Sequence, residues 1–279
     1  MTTSTVLITG CSTGFGKLAA RTFHDKGWNV VATMRSPEKE TELKTGDRML
    51  VAQLDVTSPQ SIETAVKTAL ETFGGIDVLV NNAGFGTNAL FEQSSNDSIR
   101  AIYETNVFGV MNTMRAVLPH MRAKGSGRVI NVTSMAGLIG LPGNSVYASS
   151  KYAVEGLSES IAHEYRPLGI DIKTVAPGAF PTTAFMDNVE SRVGDGEGQL
   201  KAHSEKLREH FASVALAGEP QDPQLVADKI FECATEETPV CNPVGADAEG
   251  LMALINTLDS RQAFVDAMAG RVLPADLQG

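Results

Sequence analysis

Short apolar segments rich in β-branched residues recur along the chain without sustained alternation of polar and apolar positions. They are "TVLIT" (5–9), "NVVATM" (29–34), "MLVAQLDV" (49–56), "IDVLVNNAG" (76–84), "RVINVTS" (128–134) and "IDIKTVAPG" (170–178). A strand of that kind has both faces buried, the condition of parallel strands covered by helical crossovers. Helix-like stretches such as "GFGKLAARTFHDKG" and "SPQSIETAVKTALETFG" lie between them. The repeating strand–helix order predicts an α/β fold: one doubly wound, Rossmann-type domain over 1–279, its central sheet mostly parallel and flanked by helices. A chain of 279 residues, 42% hydrophobic and 20% charged, can bury a core of that size.

Two stretches show helical periodicity. Val107, Val110, Met111, Met114, Val117, Leu118 and Met121 share one apolar face, and after Tyr147 the positions Val154, Leu157, Ile161 and Leu168 continue another. Both stripes read as core. From 186 to 217 the texture changes: "ESRVGDGEGQLKAHSEKLREHF" is charged and carries glycines before turning helix-like. That stretch predicts a helical lid near the C-terminus rather than a second domain.

The net charge of −10 argues against a general affinity for nucleic acid or anionic membranes, though not against a local basic pocket for a phosphate. No apolar run is long enough to span a bilayer, and because "MTTST" leads straight into "VLITG" no secretory signal is expected. Cys11, Cys233 and Cys241 form neither a CxxC pair nor an even framework, so a reducing, cytoplasmic setting is expected. The histidines His24, His120, His163, His203 and His210 lack metal-ligand spacing, and no metal site is expected.

"TGCSTGFG" (9–16) follows the first strand and opens the first helix. Glycines there permit a tight turn and close approach to a pyrophosphate, while the helix N-terminus favours its negative charge. The expected cradle is Gly10, Ser12, Thr13, Gly14, Phe15 and Gly16. The second strand ends without a carboxylate and reaches Arg35, whose forked guanidinium suits a ribose 2′-phosphate. NADP(H) is therefore favoured over NAD(H); the other reading makes Arg35 a solvated loop residue.

In "NSVYASSKYAVEGL" (144–157), Tyr147 stands four residues before Lys151, so both share one helix face. Tyr103, Tyr152 and Tyr165 are followed at that spacing by Val107, Gly156 and Gly169. With "TGCSTGFG", "NNAG" (81–84), "NVFG" (106–109), Ser134, "YASSK" (147–151) and "PGAFPT" (177–182) in order, the sequence resembles the short-chain dehydrogenase/reductases over about its first 185 residues. The longer tail and "NPVGADAE" (242–249) look more like the retinol- and hydroxysteroid-type branch than the oxoacyl-reductase branch. The resemblance implies a catalytic set of Asn106, Ser134, Tyr147 and Lys151. It places Asp55 and Val56 against the adenine, and Asn82, Ala83 and Gly84 along the cofactor groove. Pro177, Gly178 and Thr182 would hold the nicotinamide carboxamide. It also implies a homo-oligomer, dimer or tetramer.

These residue types suit hydride chemistry. The nicotinamide carries the hydride, and the protein manages the proton. A phenol ordinarily ionises near ~10, and an adjacent ammonium is expected to lower that value. Tyr147 is thus the expected general acid/base, Lys151 its tuner and a ribose anchor, Ser134 an oxyanion donor, and Asn106 a relay through water. Leu141, Phe180 and Phe185, with Ser134 and Tyr147, are expected to face the substrate, and Leu138, Val146, Met186 and the segment around Phe180 to Phe211 to wall the pocket. The expected activity is an NADP(H)-dependent carbonyl reductase acting between a hydrophobic ketone or aldehyde and its alcohol. An NAD-dependent enzyme and a non-catalytic dinucleotide sensor are the alternatives.

Overall fold

A computed structural model of the protein describes residues 3–182, 197–215 and 220–274. Its elements run β1 (Thr5–Thr9), α1 (Gly14–Asp25), β2 (Asn29–Met34), β3 (Met49–Gln53), α2 (Pro59–Phe73), β4 (Val78–Asn81) and α3 (Asn96–Tyr103). They continue with α4 (Gly109–Lys124), β5 (Gly127–Val132), α5 (Ser145–Tyr165), β6 (Ile170–Pro177), α6 (Gly198–Ala215), α7 (Gln224–Thr235), β7 (Cys241–Val244), α8 (Ala246–Thr257) and α9 (Arg261–Val272). The strands form one sheet in the order β3-β2-β1-β4-β5-β6-β7, and each neighbouring pair is parallel.

Alternate side chains of the inner strands enter opposite cores, as two covered faces require. Val6 and Ile8 of β1 pack with Ala19, Ala20 and Phe23 of α1 and with Val226 and Ile230 of α7. Leu7 between them packs with Ile62 and Val66 of α2, Val110 and Val117 of α4, and Val154 and Ile161 of α5. Local signals set the helix limits. Ser58 caps α2 by accepting a hydrogen bond from the Ser61 N–H at 3.3 Å, Pro59 opens the helix, and Gly74 closes it at φ 78°.

Several boundaries differ from the sequence reading. The apolar helix expected around Asn106 begins at Gly109, and Asn106 lies in a π-helical turn (Glu104–Phe108) joining α3 to α4. Leu168 does not continue the α5 stripe: the helix ends at Tyr165, and Leu168 lies exposed in a 3-10 turn containing Pro167. The seventh strand, "CNPV", is not legible as a strand, being short with a proline in it; it forms the sheet edge, where a missing N–H is tolerated. Of the expected lid, α6 is described, with Ser204 and Leu207 buried. Positions 186–196 and 216–217 lie outside the described residues.

A buried polar chain fixes α4 and α5 to the sheet. The Asn81 amide donates to Asn131 Oδ1 at 2.9 Å, and Thr113 Oγ1 of α4 donates to Asn81 Oδ1 at 2.6 Å. Asn131 Nδ2 in turn donates to Ser158 Oγ of α5 at 2.9 Å. Asn131→Ala removes the centre of this chain, strands the buried Asn81 amide and takes away the hydrogen bond that Ser158 Oγ accepts, at an expected cost of about 2–3 kcal/mol in urea unfolding. A loss below about 0.5 kcal/mol would contradict the assigned role.

Candidate active site

The carboxyl ends of β1, β4, β5 and β6 open onto a groove of about 790 Å³. This is where ligands bind in open parallel sheets, at the point where the strand order reverses. Its rim is knotted by side chains. Thr9 Oγ1 accepts the Asn82 and Ala83 N–H groups, each at 3.0 Å. The Asn82 amide donates back to the Thr9 carbonyl at 2.9 Å and the Gly10 carbonyl at 3.0 Å. Gly10 holds φ +73°, and a Cβ there would stand 2.9 Å from Ala83 Cα; at Gly16 it would stand 2.4 Å from Asn82 Nδ2. These positions are glycine because the β4 loop presses on them.

Gly10, Ser12, Thr13, Gly14 and Phe15 line the groove, while Gly16 is not a lining residue and packs against Gly10 and Asn82. Cys11 does not face it. Its thiol is fully buried, donates to the Ile8 carbonyl at 3.3 Å, and is pushed up to about 12 by burial. Arg35 lies exposed on the groove wall and has no ion-pair partner among the described residues. Lys17, the nearby cation of α1, is committed to Glu40 and Glu42, each at 3.0 Å. Asp55 and Val56 also line the wall. Asp55 Oδ1 accepts the Thr57 N–H at 2.9 Å and its hydroxyl at 2.8 Å. Pro177 and Gly178 close the far side, while Thr182 is exposed and does not line the groove.

The chemical residues converge on this space. The Tyr147 phenol is buried and hydrogen-bonded with the Ser134 hydroxyl, which also accepts the Ala136 N–H at 3.1 Å. Lys151, one turn along α5, places Nζ 5.7 Å from the Tyr147 ring centre and donates to the Val132 carbonyl at 3.0 Å. A Cβ on Gly84 would stand 3.1 Å from Asn106 Oδ1 and 3.5 Å from Lys151 Nζ, so this glycine lets both approach one spot. Asn106 does not itself line the groove. Its amide donates to the Phe85 carbonyl at 2.9 Å and to Ser150 Oγ at 3.1 Å, and its oxygen accepts the Phe85 N–H at 3.1 Å. The π-helical turn aims it there; such insertions are frequent at functional sites.

One electrostatic expectation is corrected. Burial pushes the Tyr147 phenol up to about 12, opposed by the hydrogen bond with Ser134, so the phenol is raised rather than lowered. Lys151 is itself pulled down to about 8 by burial, with Glu155 acting in the opposite direction. Glu155, one further turn along α5, escaped the sequence reading, although its spacing from Lys151 was visible. It is buried, accepts the Thr174 hydroxyl at 2.9 Å and the Thr133 hydroxyl, and is raised by its own burial.

Part of the groove lining is apolar. Leu141, Phe180 and Pro181 line the groove, joined by Phe85, Met135 and Ala136, which the sequence reading does not name. Leu138 and Val146 are not lining residues, and Phe185 and Met186 lie outside the described residues. Among the described residues no cluster suits a metal ion, and no helix is long and apolar enough to cross a membrane.

The short chain dehydrogenase family model matches residues 4–193. The uncharacterized oxidoreductase YusZ of Bacillus subtilis is 38% identical over 242 residues, covering 83% of this chain and 84% of that protein. Retinol dehydrogenase 8 of Bos taurus is 41% identical over 202 residues, 69% of this chain and 64% of that protein. Among solved structures, ElxO with NADP bound superposes with a TM-score of 0.73 at 26% identity, over 89% of this chain and 99% of ElxO.

Lys151 has a measurable signature. Because its amine is lowered when folded, the unfolded chain holds the extra proton between about pH 8 and 10.5. Its penalty on stability is therefore full below pH 8 and fades as pH rises through that window. Unfolding curves of wild type and Lys151→Met are expected to diverge in favour of wild type by about 2 kcal/mol from pH 7.5 to 10. Parallel curves would mean the amine is not desolvated.

Proposed function

The chain belongs to the short-chain dehydrogenase/reductase family and is an oxidoreductase, and from that premise we propose that it interconverts a hydrophobic ketone or aldehyde and its alcohol using NADP(H). The observation that carries this reading is the Tyr147 phenol, hydrogen-bonded with Ser134 and one helical turn from Lys151, at the mouth of a glycine-floored groove. The groove fits a dinucleotide: Gly10, Gly16 and Gly84 leave backbone and polar atoms where a Cβ would intrude, and Arg35, with no ion-pair partner among the described residues, stands on the wall where a 2′-phosphate would lie.

A nicotinamide held in this groove would supply or accept the hydride. In the reducing direction, the Ser134 hydroxyl and the Tyr147 phenol donate hydrogen bonds to the carbonyl oxygen. As negative charge grows there, Tyr147 passes its proton to that oxygen. Lys151 stands next to the resulting phenolate as its counter-charge and source of replacement proton, and its own lowered affinity for a proton suits that exchange. Asn106 holds the Phe85 backbone and flanks Lys151 at Gly84, and we assign it the relay to solvent. Leu141, Phe180, Met135 and Phe85 exclude water from the reacting carbon. The similarity to retinol dehydrogenase 8 supports an apolar substrate of this kind.

Tyr147→Phe removes the only proton this scheme transfers to substrate. Turnover of aldehyde and ketone panels is expected to fall at least about 10³-fold, while NADPH fluorescence titration still reports binding. Near-normal turnover would remove Tyr147 from the mechanism and favour a non-catalytic role for the site. Arg35→Ala tests the cofactor: KM for NADPH is expected to rise about tenfold or more, and KM for NADH by less than about threefold. Equal effects would discredit the phosphate assignment and leave NAD(H) as the cofactor.

A further inference from the structure

The sequence stretch "NPVGADAE" finds no part in the reaction above, yet it reaches the cofactor side of the groove through Asp247. This residue lies in the first turn of α8, and its carboxylate is turned back onto the loop that follows β6. Asp247 Oδ2 accepts the Ala179 N–H at 2.7 Å, and Asp247 Oδ1 accepts the Gln221 amide at 2.9 Å. The same Gln221 amide donates to the Ala179 carbonyl at 3.2 Å, and Gln221 Oε1 accepts the Ala246 N–H at 2.7 Å. Both polar groups of the Ala179 backbone are thus claimed by side chains more than forty residues away in sequence.

Two glycines make room for this carboxylate. A Cβ on Gly178 would stand 1.9 Å from Asp247 Oδ1, and one on Gly245, which holds φ +100°, would stand 3.0 Å from the same atom. The loop is also pinned on its other flanks. The Gly178 N–H donates to the Val244 carbonyl at 2.9 Å, and the Phe180 ring meets Phe15 of the glycine loop edge-on at 5.4 Å.

We propose that Asp247, seated by Gln221, is a positioning residue that fixes the Pro177–Phe180 loop against the nicotinamide half of the cofactor. The inference rests on the dinucleotide reading given above. Its consequence is spatial: among the described residues the hydrogen bonds of Asp247 and Gln221 reach the loop beyond β6 and the start of α8, and none reaches Arg35, Asp55 or a polar group of the phosphate cradle. Loosening them should therefore affect one end of the dinucleotide and spare the other.

Wild type, Asp247→Ala and the gentler Asp247→Asn are titrated with NADPH and NADH, and with the adenosine halves 2′,5′-ADP and 5′-ADP. Asp247→Asn keeps the volume but sets its amide against that of Gln221. Both variants are expected to bind the reduced dinucleotide about tenfold more weakly and the adenosine half within about twofold of wild type. A variant that loses both ligands equally, or neither, overturns the proposal while the dinucleotide reading stands. A wild-type chain that binds none of the four overturns both. Gly178→Ala supplies an independent arm. Its loss of dinucleotide affinity should be partly restored in Gly178→Ala/Asp247→Ala, since the methyl then occupies the space of the missing carboxylate. Purely additive losses would show that the two residues do not share that space, against the proposal.

Discussion

The site depends on the knot between Thr9 and Asn82. In the strand order β3-β2-β1-β4-β5-β6-β7 the chain runs outward in one direction and then, at β4, begins in the other, so the loops after β1 and β4 diverge. A crevice at that point is open by topology but has no fixed shape. The Thr9 hydroxyl accepts two N–H groups from the β4 loop, and the Asn82 amide donates to two carbonyls of the β1 loop. Glycine at positions 10 and 16 follows from this, because the knot leaves no space for a side chain.

A second constraint carries the chemistry to the same crevice. Asn106 comes from the turn before α4, and Tyr147 and Lys151 from α5. The polar chain through Thr113, Asn81, Asn131 and Ser158 seats both helices on the sheet. Buried polar chains of this sort fix one arrangement because any other leaves donors unpaired in a low-dielectric interior. The same burial sets the electrostatics. It pushes the phenol up against the hydrogen bond with Ser134, and pulls the amine down against the attraction of Glu155.

What the sequence makes legible is what local pattern encodes. The strand limits Thr5–Thr9 and Asn29–Met34 coincide with their apolar runs, and the glycine loop, the Tyr147–Lys151 spacing and Arg35 at the end of β2 are each visible within a few residues. What it conceals depends on contacts across the fold. The edge strand Cys241–Val244 has no propensity signal; it exists because β6 offers an open edge. Asp247 reads as an ordinary first-turn acid of α8 until the fold brings Ala179 to it. The π-helical turn at Asn106 interrupts a periodicity that looks continuous in sequence, and Pro167 truncates α5 before Leu168. The lowered phenol was inferred from pair spacing alone, which takes no account of how deeply both groups are buried.

The central claim is that one groove holds a nicotinamide ring within reach of the hydroxyls of Tyr147 and Ser134. Its most direct test is a crystal structure of the protein soaked with NADPH. The account predicts the adenosine end beside Arg35, the pyrophosphate over the glycine loop, and the ring facing Tyr147 and Ser134 with Lys151 at its ribose. A dinucleotide bound with its ring turned away from these side chains, or bound elsewhere on the molecule, would contradict it.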